Sequence, residues 1–301
     1  MIVYLTNTEI DRDKWDNCIK NSEGVKPYAY SWYLDIMAPD WQALVDDDYD
    51  SVFPLTGFKR YGIQYIATPT FLQQLGAFSP DKPASIVINE FINFIPDFYK
   101  LIDLRAGQKT EIAGYKIAEK INFELDLSKP YEKLWDNFST HCRRNIETSE
   151  KKKPEIVLDI SPEELIGLFI KNKGKEIKGI KLRDYNRLKS LMNFCLTNDK
   201  GRIIGVRDAK KRLIYGVFLV ETNGNKTMLL VVNTPQSRER RLGYFVVNEL
   251  IKSHCRTKTI LDFAGSVIPS IASFMRSFGS TEEPYYRIFR NRLFWPVRLL
   301  K

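Results

Sequence analysis

The sequence predicts an α/β (α+β) protein of two tandem units, residues 1–125 and 126–301, each a mixed, largely antiparallel sheet flanked by helices. Three observations carry that expectation. Short β-rich apolar runs alternate with segments whose apolar residues recur at i, i+3 and i+4, as in strands interleaved with amphipathic helices. The order strand, two helices, three strands, helix, strand occurs twice along the 301 residues, without a literal sequence repeat. No Gly/Ser-rich linker parts the two occurrences, so the units are expected to pack together rather than to be tethered.

In the first unit "MIVYLT" reads as a strand, "DRDKWDNCIKN" as a capped helix and "SWYLDIMA" as a second, short helix. "WQALVDD", "SVFPLTGFKR" and "GIQYIATP" form an antiparallel meander with turns at Tyr49-Asp50 and Tyr61-Gly62. "DKPASIVINEFINFIP" is a helix with Pro83 in its first turn and Ile86, Phe91 and Ile95 on its buried face. "YKLIDLR" and "YKIAEKINFELDLS" return to strand, and the unit boundary falls near Asn122–Pro130.

The second unit opens with the helix "YEKLWDNF" and a helix capped by Ser139. "EIVLDI" is a strand, and the next helix has Ser161 and Glu164 at capping-box spacing with Pro162 as its first residue. "DYNRLKSLMNFCLTN" is a further helix. Three strands follow, "GRIIGVRDA", "RLIYGVFLVET" and "KTMLLVVN", with turns at Asp208–Lys211 and Asn223-Gly224. A long helix over about 237–255, the strand "KTILDFAG", the helix "PSIASFMRSFG" and the strand "YYRIFRN" complete the order.

Composition narrows the function classes. With 44% apolar and 28% charged residues the chain is a soluble globular protein, and no apolar run approaches the ~20 residues that span a bilayer. The N-terminal stretch lacks a basic region followed by an apolar one and reads as a strand, not a signal peptide. Cys18, Cys142, Cys195 and Cys255 are scattered with no CxxC pair, which suggests reduced thiols, a cytoplasmic location and no zinc site. The only histidines, His141 and His254, leave no room for a His-rich metal centre. Charge is uneven: residues 1–120 hold 12 Lys+Arg against 17 Asp+Glu, net −5, and the remainder 34 against 20, net +14. Such asymmetry points to an anionic partner: a phosphorylated cofactor, a nucleic acid or an anionic membrane surface.

The stretch "STHCRRNIETSEKKKPEIVLDI" places Arg143 and Arg144 near a helix start, where the macrodipole disfavours cations. Either an anion is held there by backbone N–H groups and the arginines together, or the pair is solvated and answered by Glu147 and Glu150 one turn on.

At "LLVVNTPQSRERRLGYFVVNELIKSHCRTKTILDFAGS" a buried strand, a short polar loop, a helix with Gly in its first turns and a strand ending Asp-Phe-x-Gly follow one another. This resembles the core of the GNAT acyltransferases, and more specifically the double-GNAT branch that contains the Fem-type peptidoglycan aminoacyltransferases. "RRNIETSEK" is similar to the basic helix of those Fem-like proteins. The resemblance covers most of the chain in element order and, in residues, chiefly 139–153 and 227–279. It implies two tandem GNAT-like domains in which the fourth strand and the next helix splay apart, with a cofactor pyrophosphate on the helix N-terminus. Arg238, Arg240, Arg241 and Gly243 stand at the cofactor-binding places, with Ser237 beside them. The family's second small residue is Phe245 here, where a benzyl group would crowd a pyrophosphate, and an acidic residue of many relatives is Ala264. These two departures favour a different donor or none.

The activity implied is an N-acyltransferase passing an acyl or aminoacyl group to an amine of a cell-envelope or sugar-like precursor. The donor would be acyl-CoA, not tightly bound, or aminoacyl-tRNA, and no metal is needed. The strand bearing Asn233 supplies the oxyanion hole, Tyr285 (with Tyr286 and Tyr244 as alternatives) protonates the leaving group, and Asp262 faces the cleft or braces the Gly265–Ser266 turn. Arg143 and Arg144 meet a phosphate of donor or acceptor. The acceptor is phosphorylated or lipid-linked, DNA is not expected, and the tail "YYRIFRNRLFWPVRLLK" either contacts an anionic membrane peripherally or docks as a final strand. The competing implication is a catalytically silent double-GNAT protein that binds an anionic ligand.

Overall fold

A computed structural model describes residues 1–174, 179–222, 224–265 and 268–295. The chain forms two compact units, one of Met1–Lys120 with Pro284–Lys301, the other of Ile121–Glu283. It thus crosses from unit to unit twice, near residue 120 and again near 283. The class is mixed α/β, as the alternation of periodicities predicts.

Unit 1 begins with β1 (Ile2–Leu5), α1 (Arg12–Asn21), α2 (Ser31–Met37), β2 (Gln42–Asp46) and β3 (Ser51–Leu55). Asp11 caps α1 by accepting from the amides of Asp13 and Lys14, and β1, β2 and β3 pair antiparallel in that order. Then come β4 (Gly57–Arg60), β5 (Ile63–Ala67), α3 (Ala84–Asn93) and β6 (Tyr99–Ala106). The expected single strand "SVFPLTGFKR" is broken at Thr56, because β3 and β4 belong to different sheets. Gly57, the first residue of β4, lies close to other side chains: a Cβ there would stand 2.6 Å from the Tyr99 hydroxyl, so that ring would have to shift. The turns at Tyr49-Asp50 and Tyr61-Gly62 form, with Tyr49 and Tyr61 both at positive φ. On α3 the buried face is Val87, Ile88, Phe91 and Ile92, joined by Ile95; Ile86 is exposed, one position off the stripe. The β4-β5-β6 sheet of unit 1 is extended by the last strand, β13 (Thr281–Asn291), whose residues Tyr286–Asn291 run antiparallel to β6.

Unit 2 takes β7 (Lys116–Asp126), α4 (Tyr131–Asn137), α5 (Thr140–Glu150), β8 (Ile156–Val157), α6 (Pro162–Phe169) and α7 (Leu182–Thr197). Ser161 caps α6 through the Glu164 amide, but the Glu164 carboxylate does not complete the box; it pairs with Arg207, whose Nη2 donates to Oε2 at 2.9 Å. Next are β9 (Gly201–Arg207), β10 (Leu213–Thr222), β11 (Asn225–Asn233), α8 (Pro235–Glu239), α9 (Leu242–His254), β12 (Ile260–Asp262) and α10 (Pro269–Arg276). The long helix expected over 237–255 is therefore two helices. Thr234 caps the first through the Ser237 amide, and Arg241, at φ 60, turns the chain into the second.

The unit 2 strands lie in the order β7-β12-β11-β10-β9-β8, all antiparallel except the parallel pair β11/β12. A single core cluster packs α4, α5, α9 and α10 against this sheet, including Phe138, Cys142, Ile146, Val246, Val247 and Phe278. The four cysteines are free thiols, three of them buried. Residue 223 of the expected Asn223-Gly224 turn, residue 266 of the Gly265–Ser266 turn, and residues 296–301 of the basic aromatic tail lie outside the described residues.

Candidate functional site

The parallel pairing of β11 with β12 lasts only three rungs, Asn225–Thr227 against Ile260–Asp262. Beyond Thr227 the two strands part, so among the described residues β11 has no strand partner on that side, while β10 continues along its other edge to Asn233. A parallel pair needs a crossover connection, and here α8 and α9 supply it. A cavity of about 430 Å³ lies at this splay. Its walls are mainly apolar, from Met228 and Val231 on β11, Phe263 just after β12, and Ile271, Phe274 and Met275 on α10. Asn233, Arg238, Ser270 and the Tyr215 ring supply polar groups, and Gly243 completes the lining at the start of α9. That size and that ratio of apolar wall to polar groups are those of small-molecule sites.

The mouth is built by local hydrogen bonds. Thr234 Oγ1 donates to the Ile214 carbonyl at 2.8 Å, fixing the end of β11 to β10. Ser237 Oγ donates to the Asn233 carboxamide oxygen, and Arg238 folds back so that Nη1 donates to the Asn233 carbonyl at 2.7 Å. Arg241 Nη1 reaches the Arg238 carbonyl at 3.4 Å. No side chain caps α9, whose N-cap is Arg241 itself. The first amides of a helix find no acceptor within it, so those of Leu242 and Gly243 open this end to an anion.

The structure thus brings Asn233, Arg238 and Gly243 to one cavity, with Arg240 and Arg241 at the adjoining α8–α9 junction. Phe245, where crowding was expected, is buried in the core cluster and is not among the residues lining the cavity. Asp262 is fully buried and accepts from Asn122 Nδ2 at 3.0 Å and from the Ala264 amide at 2.7 Å, bracing a bend in which Ala264 and Gly265 both have φ 57. Its neighbour Phe263, not Asp262, lines the cavity.

Tyr285 belongs to unit 1, where burial raises its pKa. Within unit 2 Tyr215 lines the cavity, and Tyr244 directly follows the lining residue Gly243. The Tyr244 ring is edge-on to Phe274 at 4.8 Å, and burial raises its pKa as well. Glu249 forms an ion pair with Lys252 at 2.9 Å.

Arg143 and Arg144 stand on α5, half-buried and exposed respectively. Neither forms an ion pair with Glu147 or Glu150, since Glu150 pairs instead with Lys252 at 3.1 Å. The start of α5 is capped: Ser139 Oγ accepts from the Cys142 amide at 3.1 Å, and the Ser139 amide donates to the Ser277 carbonyl at 2.8 Å.

Sequence reasoning missed the apolar wall. Ile271, Phe274 and Met275 read only as the packing face of a helix, and Met228 and Phe263 as strand core. Among the described residues no group of three or more His, Cys, Asp or Glu could hold a metal. Likewise no described helix is long and apolar enough to cross a membrane.

No protein-family model matches the chain, and no curated protein matches it. Solved structures do. FemX matches at TM-score 0.67 with 12% identity, over 97% of this chain and 98% of that one. A C-terminal domain from Agrobacterium fabrum, assigned as a lysylphosphatidylglycerol synthetase, matches at 0.58 with 9% identity over 98% and 95%. L-PGS from Bacillus licheniformis matches at 0.54 with 13% identity over 96% and 95%. At these identities the likeness concerns the fold, and the fold is GNAT/Fem-like, as the order of elements around the splayed strands implies.

Proposed function

We propose that the protein is an acyl- or aminoacyltransferase whose unit 2 cavity seats an uncharged acyl group while a phosphate of the donor lies on the start of α9. The carrying observation is the splay of β11 from β12, with an apolar cavity inside it and arginines at its mouth. The acceptor is an amine of a cell-envelope or sugar-like precursor, phosphorylated or lipid-linked, and the donor is acyl-CoA or aminoacyl-tRNA.

In the transfer step the neutral amine attacks the donor carbonyl and a C–N bond forms. The carbonyl electrons move to oxygen, where backbone N–H groups of β11 beyond Thr227 stabilise the oxyanion. The C–S or C–O bond to the carrier then breaks. The amine loses its proton to solvent, and the leaving group takes one from a tyrosine, for which Tyr244, whose raised pKa keeps it protonated, is the candidate in unit 2. Arg238, Arg240 and Arg241 counter the donor phosphate, and Gly243 keeps backbone accessible to it. Arg143 and Arg144 are assigned to the acceptor's charge. Among the described residues no carboxylate lines the cavity, so a cationic acyl group such as lysyl would be buried there without a counter-charge from them.

The same absence of a lining carboxylate, with Asp262 occupied by Asn122 and Ala264, favours the second reading: a silent binding protein for an anionic ligand. Thermal unfolding at fixed salt with acetyl-CoA, longer acyl-CoAs, CoA and aminoacyl-tRNA separates the two. A ligand at 100 times its dissociation constant stabilises the fold by about 2.7 kcal/mol. Stabilisation by an acyl donor together with acyl release to an amine supports transfer; stabilisation without release under any acceptor supports the binding protein. No shift with any of these ligands counts against both donors and favours the binding protein, with an anionic ligand outside this set.

A further inference from the structure

Unit 1 carries a second surface, made of residues that the transferase reading does not use. A cavity of about 680 Å³ opens among the β4–β5 hairpin, the segment leading into β6 and the chain just after β13. Lys59, Lys100 and Arg292 line it, and Asp97, the only lining carboxylate among the described residues, is taken up by Arg292 at 2.9 Å. Arg60 follows Lys59 on the hairpin. Arg290, two residues before Arg292, keeps Nε and Nη2 buried without a hydrogen-bond partner among the described residues, its guanidinium over the Tyr115 ring at 4.8 Å. Cations therefore gather at one end of a unit whose first 120 residues carry net −5.

Large aromatic side chains stand out around the same cations. Phe98 and Phe294 line the cavity and are 45% and 66% exposed, and Trp295, next in the chain, is 78% exposed. Tyr61, at the hairpin tip beside the lining residue Gly62, is 88% exposed, with Arg60 over its ring at 5.0 Å. Exposed aromatics scattered singly are ordinary, but four around one basic cavity are not. Tyr61 also adopts φ 50, a left-handed conformation in which turns of this kind ordinarily place Asn, Asp or Gly. Folding alone therefore gives no reason for a bulky ring there.

We infer that this end of unit 1 rests on an anionic lipid bilayer. The aromatics enter the headgroup region, where rings with an apolar body and a polar edge are favoured, and Lys59, Arg60, Lys100 and Arg292 meet lipid phosphates. The inference does not depend on the transferase reading, because the residues and the unit are different and the assay needs no donor.

The test is co-sedimentation of the full chain with vesicles of phosphatidylcholine alone or of equal parts phosphatidylcholine and phosphatidylglycerol. Binding to the anionic vesicles only, weakening as salt rises, is expected. Lys59→Gln with Lys100→Gln should lower the partition coefficient roughly thirtyfold, and Tyr61→Ser with Trp295→Ser should lower it at least about fivefold. All four side chains are exposed, and unfolding midpoints of both variants verify the fold. No binding to anionic vesicles overturns the inference. So does binding that both double variants leave unchanged. Competition by millimolar glycerol phosphate that abolishes vesicle binding would show a soluble-phosphate site and equally overturn it.

Discussion

Two helices of unit 2 carry arginines at their starts, and the chain treats them in opposite ways. The start of α5 is capped: Ser139 Oγ accepts from the Cys142 amide, the Ser139 amide donates to Ser277, and Arg143 and Arg144 sit a turn further along. The start of α9 is open: no side chain caps it, Arg241 occupies the cap in a left-handed conformation, and Gly243 lies on a cavity. A basic residue near a helix start is therefore not by itself an anion signal. What differs is that a side chain caps one start, while the other has no side-chain cap and lies on a cavity.

The largest expected effect concerns dryness. Cys142 lies in the first turn of α5, where a macrodipole would lower a thiol's pKa, yet burial pushes it up to about 12. Burial likewise pushes Cys195 up to about 12 and Cys18 up to about 11. With Ellman's reagent at pH 8, Cys255 is expected to react in the native protein and the other three at least ~1000-fold more slowly. Rapid labelling of Cys142, located by mass spectrometry, would mean that the α5 start is not buried.

Second, Arg241→Glu should weaken binding of a phosphorylated donor by about 100-fold, the loss expected when a charge-assisted phosphate contact is removed. Arg144→Glu should change it by less than about threefold. Isothermal titration measures both, and equal losses would erase the distinction between the two helix starts.

Third, Ser139→Ala should destabilise the protein by about 1 kcal/mol through the lost cap. Arg241→Gly, which releases a left-handed non-glycine residue, should leave stability unchanged or raise it by up to ~1 kcal/mol. Urea midpoints with unchanged m-values would report both.

The smallest effect is a pH dependence at the far end of α9. Burial holds the His254 imidazole below its ordinary pKa, against the pull of the Leu250 carbonyl that Nδ1 meets at 2.9 Å. The unfolded chain therefore takes up this proton first as pH falls. Stability from this site is complete above pH 6.5 and declines from there toward the lower folded-state pKa. His254→Asn should flatten that part of the stability profile, and an unchanged slope would show that another group sets it.

Much of the fold was legible because strand and helix periods differ and because caps such as Asp11, Ser139 and Ser161 announce helix starts. The division of the 237–255 helix was harder to read. Arg240, Arg241 and Leu242 are all good helix formers, with no Gly or Pro among them to mark a break. Thr234-Pro235, a cap followed by proline, announces the start of the first helix, but nothing local announces the break at Arg241. Ile86 was misplaced because β-rich apolar neighbours on α3 offer two adjacent stripes, and only packing selects between them. The site was partly legible. Asn233, Arg238 and Gly243 are local in sequence, whereas the wall from α10 joins them only through a crossover that periodicity cannot reveal.

The path of the last strand bears on how the chain is made. Tyr286–Asn291 supply the strand beside β6 in unit 1, although they are synthesised after all of unit 2. During translation unit 2 has its complete set of strands first, while the β6 edge that β13 will cover has open N–H and C=O groups, a template for wrong pairing. The unit nearest the N-terminus is then the later of the two to be completed, and a chain that stalls before residue 286 leaves the ribosome with that edge bare.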